Sequence, residues 1–178
     1  MEKIFIRNAT IDDAPRLVEI YSYYVEETAV SFECETPSVE KFQTRMKRTQ
    51  KNYPYLVAEI DGKIIGYAYA SAFIGRAAYK FSAELTIYLD KNFRHQGVGK
   101  KLYTELEKIL RDQGIKNLYA CIGYPEVEDE YLTLNSVNFH QHLGFKICGK
   151  FENCGYKFNR WYSMVWAEKI IGGRNEST

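Results

Sequence analysis

Hydrophobic positions in the first third of the chain change their period from two residues to about 3.6. Residues 4–7 alternate as a short strand, and Thr10 or Asp12 is then placed to cap a helix with apolar residues at helical spacing. After an irregular stretch, Ser38 is placed to cap a second helix that ends near Gln50. The opening of the chain is therefore predicted as one strand followed by two helices.

The middle of the chain combines a hairpin with a further strand and a long helix. Residues 55–60 and 63–73 form β-rich runs, and the Asp-Gly pair at 61–62 between them is a strong signal for a tight turn. Another strand is predicted over about 81–89. The helical pattern that follows continues to Gly114, which suits the end of a helix.

The last third of the chain predicts one strand, one short helix and a closing pair of strands. Residues 118–122 form the strand, 136–143 the helix closed by Gly144, and 145–167 two strands broken near Asn159-Arg160. Hairpins mixed with helices predict an α/β fold of the α+β type, with a mixed, mostly antiparallel central sheet flanked by helices. A doubly wound nucleotide-binding fold is not expected.

Length and charge are those of a single domain with a small ligand. The chain has 178 residues, 46% of them hydrophobic, and we expect one domain over 1–172 and a frayed tail over 173–178. The 24 lysines and arginines nearly balance 23 aspartates and glutamates, so no broad basic field is available for nucleic acid or an anionic membrane. No apolar run approaches the roughly 20 residues that cross a bilayer.

The four cysteines have no C-x-x-C spacing, and the chain opens without a basic stretch followed by an apolar run. Reduced thiols and a cytoplasmic location are therefore expected. No cluster of histidine, cysteine and acidic residues has a spacing typical of metal sites, so no metal is predicted.

The most informative segment joins the strand near 81–89 to the long helix. Backbone N–H groups at the start of a helix favour an anion, glycines allow its close approach, and basic side chains add charge pairing, as in a phosphate cradle. Two glycines in a plain strand-to-helix turn are the alternative. Neither a Walker loop nor a Rossmann fingerprint is present. The segment reads Arg94, His95, Gln96, Gly97, Val98, Gly99, Lys100.

This R-x-x-G-x-G segment, a preceding strand that carries Glu84, and a later helix ending in Leu143-Gly144-Phe145 together resemble the GNAT N-acetyltransferase superfamily. The resemblance runs from about residue 6 to 166 and is strongest to the branch that includes phosphinothricin N-acetyltransferases. The local matches are Ile20, Tyr21, Tyr24, Val25, Phe32, Tyr53, Pro54, Leu56, Val57, Ala58, Glu59, Ala70, Arg76, Ala78, Tyr79, Glu84, Tyr88, His140, and Gly155 to Phe158 leading to Trp161.

The resemblance implies acetyl-CoA as the cosubstrate. Its pyrophosphate is expected on residues 96–99, and its pantetheine arm on backbone groups near Ile87, Tyr88 and Leu89. An asparagine that the family usually carries seven residues before His140 is replaced here by Thr133. Asn135, two positions later, is the predicted substitute contact.

Acetyl transfer to an amine requires a base, because an alkylammonium with a pKa of about 10 is protonated at neutral pH. Glu84 matches the family's base, although an ordinary ion-paired strand glutamate is the alternative. Departure of the thiolate calls for a proton donor, and His140 is the candidate, with a packing role as its alternative. His95 is expected to be a loop contact and His142 a solvated helix residue.

The predicted acceptor pocket consists of Phe32, Arg76, Tyr79 and Tyr156. Relatives that act on amino-acid analogues carry two cations in this region, but Ile74 replaces the first of them here. The predicted function is direct acetyl transfer to the primary amine of a small molecule, with a peptide or protein acceptor as runner-up. A non-catalytic CoA-binding module is a third possibility, and the family resemblance implies a homodimer.

Overall fold

A computed structural model describes residues 3–173, which form a seven-stranded sheet and four α-helices. The predicted tail at 173–178 lies outside the described residues except for Gly173. The sheet order is β1-β2-β3-β4-β5-β7-β6, and β4 with β5 is its parallel pair. The elements are β1 Phe5–Asn8, α1 Ala14–Glu26, α2 Val39–Gln50, β2 Tyr55–Ile60, β3 Lys63–Ala72, β4 Ser82–Leu89, α3 Val98–Asp112, β5 Asn117–Tyr124, α4 Asn135–His142, β6 Lys146–Lys157 and β7 Arg160–Ile170.

The predicted helix starts are set by short polar side chains. Thr10, rather than Asp12, precedes a single 3-10 turn that leads into α1, and its backbone N–H donates to the Asp13 carboxylate at 2.7 Å. The Ser38 hydroxyl accepts a hydrogen bond from the Lys41 backbone N–H at 3.3 Å, and α2 ends at Gln50. Each contact satisfies a donor that the start of a helix leaves without an intrahelical partner.

Both hairpin turns use left-handed backbone conformations. Asp61 and Gly62 have φ angles of 49° and 78°, which confirms the predicted turn between β2 and β3. Phe158 and Asn159, with φ angles of 51° and 60°, join β6 to β7 one residue before the predicted break. The two-residue length lets the strands continue in register on either side.

The sheet is covered on both faces. Helices α3 and α4 pack on one face through a large apolar cluster that includes Leu102, Leu106 and Leu118. Helices α1 and α2 cover the other face over a second cluster, which contains Tyr55 and Tyr67 from the strands. These layers confirm the predicted α+β architecture. In residues 3–173, the helices are all too short or too polar to cross a membrane.

The parallel pair in the sheet separates after three residues. Strands β4 and β5 are paired only from Ser82 with Asn117 to Glu84 with Tyr119. Strand β4 nevertheless continues to Leu89 and β5 to Tyr124. The sheet therefore opens into a fork directly after Glu84, and backbone groups on its inner edges are available to a ligand.

Candidate active site

A cleft of about 490 Å³ lies at the fork, between the open edge of β4, the start of α3 and one side of α4. Most of its exposed lining is apolar, which suits the arm of an elongated ligand, while basic side chains lie near the start of α3. The lining residues are Tyr24, Val30, Ile87, Leu89, Arg94, His95, Gly97, Val98, Gly99, Lys100, Thr133, Asn135, Ser136, Asn138, Phe139, His142 and Leu143.

The glycine loop brings the first turn of α3 to the cleft. Gly97 has a φ angle of 78°, a left-handed conformation that suits glycine, and α3 begins at the next residue. The first turn leaves backbone N–H groups without intrahelical partners, an arrangement that favours an anion. At Gly99 a Cβ atom would come within 2.9 Å of the Phe139 ring, so glycine permits α3 to pack closely against α4.

Arg94 is held at the mouth of the cleft by two tyrosine rings. Its guanidinium carbon lies 5.0 Å from the ring centroid of Tyr23 and 5.3 Å from that of Tyr24. The two tyrosines hold the guanidinium in place, and a positioned guanidinium can pair with an anion through two N–H groups. Arg94 and the N-terminus of α3 therefore place positive charge at the same end of the cleft.

The open edge of β4 offers alternate backbone groups to the cleft. The Asp90 N–H donates to the Ile65 carbonyl at 2.9 Å, so even-numbered residues here bond toward β3 and odd-numbered residues toward the fork. The Tyr24 hydroxyl already occupies the Leu89 groups, donating to its carbonyl at 2.6 Å and accepting from its N–H at 3.2 Å. Ile87 is thus the best-placed contact for an extended arm.

Most of the predicted cofactor residues come together in this cleft. Gln96 and Tyr88 are outside its lining, and the Tyr88 side chain packs on the opposite face of the sheet, near Tyr21. Thr133 and Asn135 both line the cleft. The Asn135 backbone N–H donates a hydrogen bond to the Thr133 hydroxyl at 3.4 Å. The predicted residues in the lining are Ile87, Leu89, Arg94, His95, Gly97, Val98, Gly99, Lys100 and Asn135.

On α4, sequence reasoning identified Asn135 but missed the other residues that line the cleft, and it missed the contribution of Tyr24. On α4, the lining residues at 135, 138, 139 and 142 recur three and four positions apart, which is the spacing of one helix face, and Ser136 lies beside them. That spacing is visible in the sequence once the helix is recognised. Tyr24 carried no such signal, because its role depends on the packing of α1 against the end of β4.

Glu84 is located where β4 and β5 separate. It is the last β4 residue paired with β5, and its side chain projects toward the face covered by α1 and α2. The carboxylate is half-buried and makes no hydrogen bond or ion pair with any other residue in 3–173. Burial raises the pKa of the Glu84 carboxyl above its usual range. A half-buried carboxylate without a partner is available to accept a proton.

Cys121 is the cysteine on the strand that pairs with Glu84, and a thiol is a candidate nucleophile. It lies on β5, two residues beyond Tyr119, the partner of Glu84. Part of the residue is exposed to solvent, but protein atoms surround its thiol group. This crowding, together with the Glu84 and Cys154 charges, raises the pKa of the Cys121 thiol to about 12. The thiol is therefore protonated at neutral pH and is a weak nucleophile.

His140 lies inside the protein rather than in the cleft. Its Nδ1 lies 2.7 Å from the Ser136 carbonyl, which requires an N–H donor there, and its Nε2 lies 3.0 Å from the Tyr103 hydroxyl. Nδ1–H therefore donates to Ser136, and neutral Nε2 accepts from Tyr103. Burial lowers the pKa of His140 to about 4. Both ring nitrogens are engaged within the protein, so the ring has no N–H directed at the cleft.

The predicted acceptor residues lie in two separate groups outside the cleft lining. Phe32 packs on the backbone of Gly155, where an added Cβ would come within 2.4 Å of its ring, and Tyr156 follows directly. Arg76 and Tyr79 lie on the exposed loop after β3, with Tyr79 against Phe73 at 5.5 Å. The second group is linked to the fork through Phe73, whose ring stacks at 4.0 Å on that of Tyr119, the β5 partner of Glu84.

This geometry agrees with comparisons to known proteins. A family model described as an acetyltransferase (GNAT) domain matches residues 6–166. The chain belongs to the GNAT acetyltransferase family. Phosphinothricin N-acetyltransferase from Streptomyces viridochromogenes is 34% identical over 159 residues, which cover 89% of this chain and 83% of that protein.

Two solved acetyltransferase structures share the fold of this chain and more than 30% of its sequence. A phosphinothricin acetyltransferase from Sinorhizobium meliloti in complex with acetyl-CoA is 33% identical with a TM-score of 0.90, covering 98% of this chain and 92% of that one. A ribosomal-protein-alanine N-acetyltransferase from Brucella melitensis is 32% identical with a TM-score of 0.83, covering 94% and 99%.

This GNAT protein is thus an acetyl-CoA-dependent N-acetyltransferase, and the predicted family, enzyme class and cosubstrate are confirmed. The residues present fit the cosubstrate, because the start of α3 and Arg94 suit a pyrophosphate and the apolar cleft suits a long arm. Within residues 3–173, no group of histidine, cysteine and acidic side chains is arranged to hold a metal ion.

Proposed function

We propose that this enzyme acetylates the primary amine of a small amino-acid-like molecule, with Glu84 as the general base. The observation that carries the proposal is the half-buried Glu84 carboxylate, which has no partner within residues 3–173 and lies at the point where the sheet opens into the cleft. The names of the 34% and 33% identical relatives support an acceptor of the phosphinothricin class.

Each part of the cleft has a distinct task in this reaction. The first turn of α3 and Arg94 hold the phosphate end of acetyl-CoA, and the Ile87 backbone orients its arm along β4. The bound cosubstrate supplies an acetyl thioester at the fork. Glu84 then removes the proton that the amine must lose, directly or through one water molecule.

Direct transfer between the two bound substrates is the proposed kinetic course. An acetylated enzyme would require a nucleophile beside Glu84, and the Cys121 thiol is held in its protonated form. Kinetics in which acetyl-CoA alone releases one equivalent of CoA and labels the protein would contradict direct transfer.

A protein N-terminus is the second candidate acceptor. It is favoured by the 32% identity to a ribosomal-protein-alanine N-acetyltransferase. A peptide acceptor needs an open approach, and Arg76 and Tyr79 are exposed to solvent on the loop after β3. The two candidates are distinguished by their acceptors rather than by their chemistry.

The deciding experiment measures thiol release from acetyl-CoA with a panel of phosphinothricin, amino acids, polyamines and N-terminal peptides. We expect turnover with amino-acid-like amines, and a loss of about 100-fold or more in kcat for Glu84→Gln with unchanged CoA binding. Because the pKa of Glu84 is raised, wild-type kcat/KM should fall with decreasing pH at values above the usual carboxylate range. Glu84→Gln should lack this acidic limb.

The matched control is Glu105→Gln, which changes an exposed glutamate on α3. It should retain wild-type kcat and the wild-type pH profile. Equal turnover by wild type and Glu84→Gln would exclude Glu84 as the base, whereas turnover with peptides alone would establish the second candidate acceptor.

A further inference from the structure

A second cavity, of about 390 Å³, lies on the other face of the sheet, between α2 and strands β2 to β4. We call it the tyrosine cavity, because five tyrosines contribute to its wall. Neither the family's glycine loop nor the predicted acceptor residues belong to it. Its lining residues are Tyr21, Glu33, Phe42, Arg45, Arg48, Thr49, Tyr55, Tyr67, Tyr69, Ser71 and Tyr88.

Two buried hydroxyl groups face this cavity without a protein partner. Tyr67 is 1% exposed and Tyr55 4%, and neither hydroxyl makes a hydrogen bond to a residue in the described part of the chain. Within residues 3–173, Asn117 Oδ1 is the one side-chain nitrogen or oxygen that is fully enclosed and has no hydrogen-bond partner. The Tyr55 and Tyr67 hydroxyls, which also have no partner, are therefore not fully enclosed and reach the open volume of the cavity. Buried hydroxyls are normally hydrogen-bonded, so an occupant of the cavity is expected to supply the partner.

The charge at the rim of the tyrosine cavity is positive. Arg45 is paired in a two-pronged contact with Glu33, at 2.6 and 3.3 Å, which neutralises both groups. Arg48, exposed on the next turn of α2, has no ion pair or hydrogen bond within residues 3–173. Phenol hydroxyls as donors and a guanidinium without a partner are together suited to an oxyanion.

The cavity begins beside the proposed catalytic base. Ser71 lines it and lies directly opposite Glu84 in the pairing of β3 with β4. Directly paired residues of antiparallel strands project from the same face, with Cβ atoms about 5 Å apart. A small acceptor can therefore place its amine near Glu84 while another part of it enters the tyrosine cavity.

We propose that the tyrosine cavity binds an oxyanionic group of the acceptor, a carboxylate or phosphinate, through Arg48 and the hydroxyls of Tyr55 and Tyr67. The inference rests on the proposed function and deepens it by assigning the acceptor's anion to α2 and the tyrosines. The competing anchor is Arg76, which lies on the exposed loop after β3 and in neither cavity.

The test compares phosphinothricin, which carries oxyanions, with n-pentylamine, which carries none. For Arg48→Gln we expect the KM for phosphinothricin to rise about 10-fold or more, the size of one charge-assisted hydrogen bond. The KM for n-pentylamine, the KM for acetyl-CoA and kcat should stay near wild type. The double change Tyr55→Phe with Tyr67→Phe, which keeps both rings, should reproduce this selective rise.

Lys47→Gln is the matched control, since it removes an exposed charge from the same helix outside the cavity. It should leave every parameter unchanged. The proposal is overturned if Arg48→Gln behaves like Lys47→Gln toward phosphinothricin, or if Arg76→Gln alone produces the rise in KM.

Calorimetric titration of phosphinothricin into the protein with bound CoA separates this inference from the proposed function, since it needs no turnover. Binding that weakens about 10-fold in Arg48→Gln would support the anion site even if no amine were acetylated. The absence of binding by wild type, or equal binding by wild type and Arg48→Gln, would overturn the anion site even if acetylation of other amines were observed.

Discussion

At the residue scale, the placement of Glu84 combines a stability cost with a chemical use. A carboxylate that loses water without gaining a hydrogen bond or ion pair is less stable in its charged form. Its pKa is raised by burial alone. Because it has no partner within residues 3–173, the carboxylate can take a proton from an amine. The burial that lowers the stability of the folded protein is therefore the same feature that catalysis requires.

We expect Glu84→Gln to stabilise the protein at neutral pH. The folded-state pKa of Glu84 lies above the unfolded value, so the folded state binds more protons in this window, and wild-type stability falls as pH rises through it. Glutamine removes the charge and keeps the shape. Thermal unfolding at pH 7.5 should show a Tm higher by roughly 2–4 °C, corresponding to about 1 kcal/mol in a chain of this size.

The Tm difference should shrink as the pH is lowered through the range where Glu84 becomes protonated. Glu105→Gln, on the exposed side of α3, should show no such gain. A Glu84→Gln protein that is less stable than wild type at pH 7.5 would mean that the carboxylate has a stabilising partner in solution.

At the element scale, α3 and α4 are joined by a buried polar pair. The Tyr103 hydroxyl on α3 donates to Nε2 of His140 on α4, and the His140 ring also holds the Ser136 carbonyl one turn earlier. Phe139 and Phe145 pack edge-on against the same imidazole, at 5.2 and 5.3 Å. Since α4 forms one wall of the cleft, this pair positions residues that line it.

We expect His140→Asn to lower the free energy of unfolding while leaving most of the activity. Loss of the ring leaves the buried Tyr103 hydroxyl without its acceptor, a change of about 1–3 kcal/mol. Assays below the unfolding temperature should show kcat reduced less than 10-fold, whereas loss of a direct proton donor would reduce it 100-fold or more. Gln141→Ala, on the exposed side of α4, should alter neither quantity.

The same pair sets an acid limit on stability. The pKa of His140 is lowered to about 4, below its unfolded value of about 6.5. The unfolded state therefore binds more protons between these values, and wild-type stability should fall as pH decreases from 6.5 toward 4. His140→Asn should flatten this dependence. The free energy of unfolding is measured in urea at pH 6.5, 5 and 4 for both proteins. The same pH dependence in His140→Asn as in wild type would contradict the assignment.

The strands, the hairpin at 61–62 and the helix starts were predictable because each depends on neighbouring residues. The phosphate loop was predictable for the same reason, since Gly97 and the start of α3 are adjacent in sequence. The fork between β4 and β5 was not, because their pairing joins Glu84 to Tyr119, far apart in the chain. The sequence alone also gave no signal that His140 would meet Tyr103, or that tyrosines from α1, β2, β3 and β4 would share one cavity.

At the scale of the whole molecule, the β6–β7 hairpin presents large apolar side chains to solvent. Strand β6 is one edge of the sheet, and Phe151, Tyr156 and Trp161 on this hairpin are 56%, 53% and 62% exposed. Exposed edges and aromatic patches of this kind are typical of surfaces that a partner covers. A second copy of the chain is the partner implied by the family resemblance.

A homodimer that uses this hairpin should be disrupted by a charge at its centre. We expect light scattering of wild type to give twice the 20.8 kDa of one chain, and Trp161→Glu to shift the mass to a single chain at micromolar concentration. Phe5→Glu is the matched control, because Phe5 is 52% exposed on β1 at the opposite edge of the sheet. A wild-type mass of 20.8 kDa across the concentration range, or dissociation by Phe5→Glu instead, would exclude this surface.

Since Phe32 packs on Gly155 of the same hairpin, dissociation should also raise the KM for the amine more than the KM for acetyl-CoA.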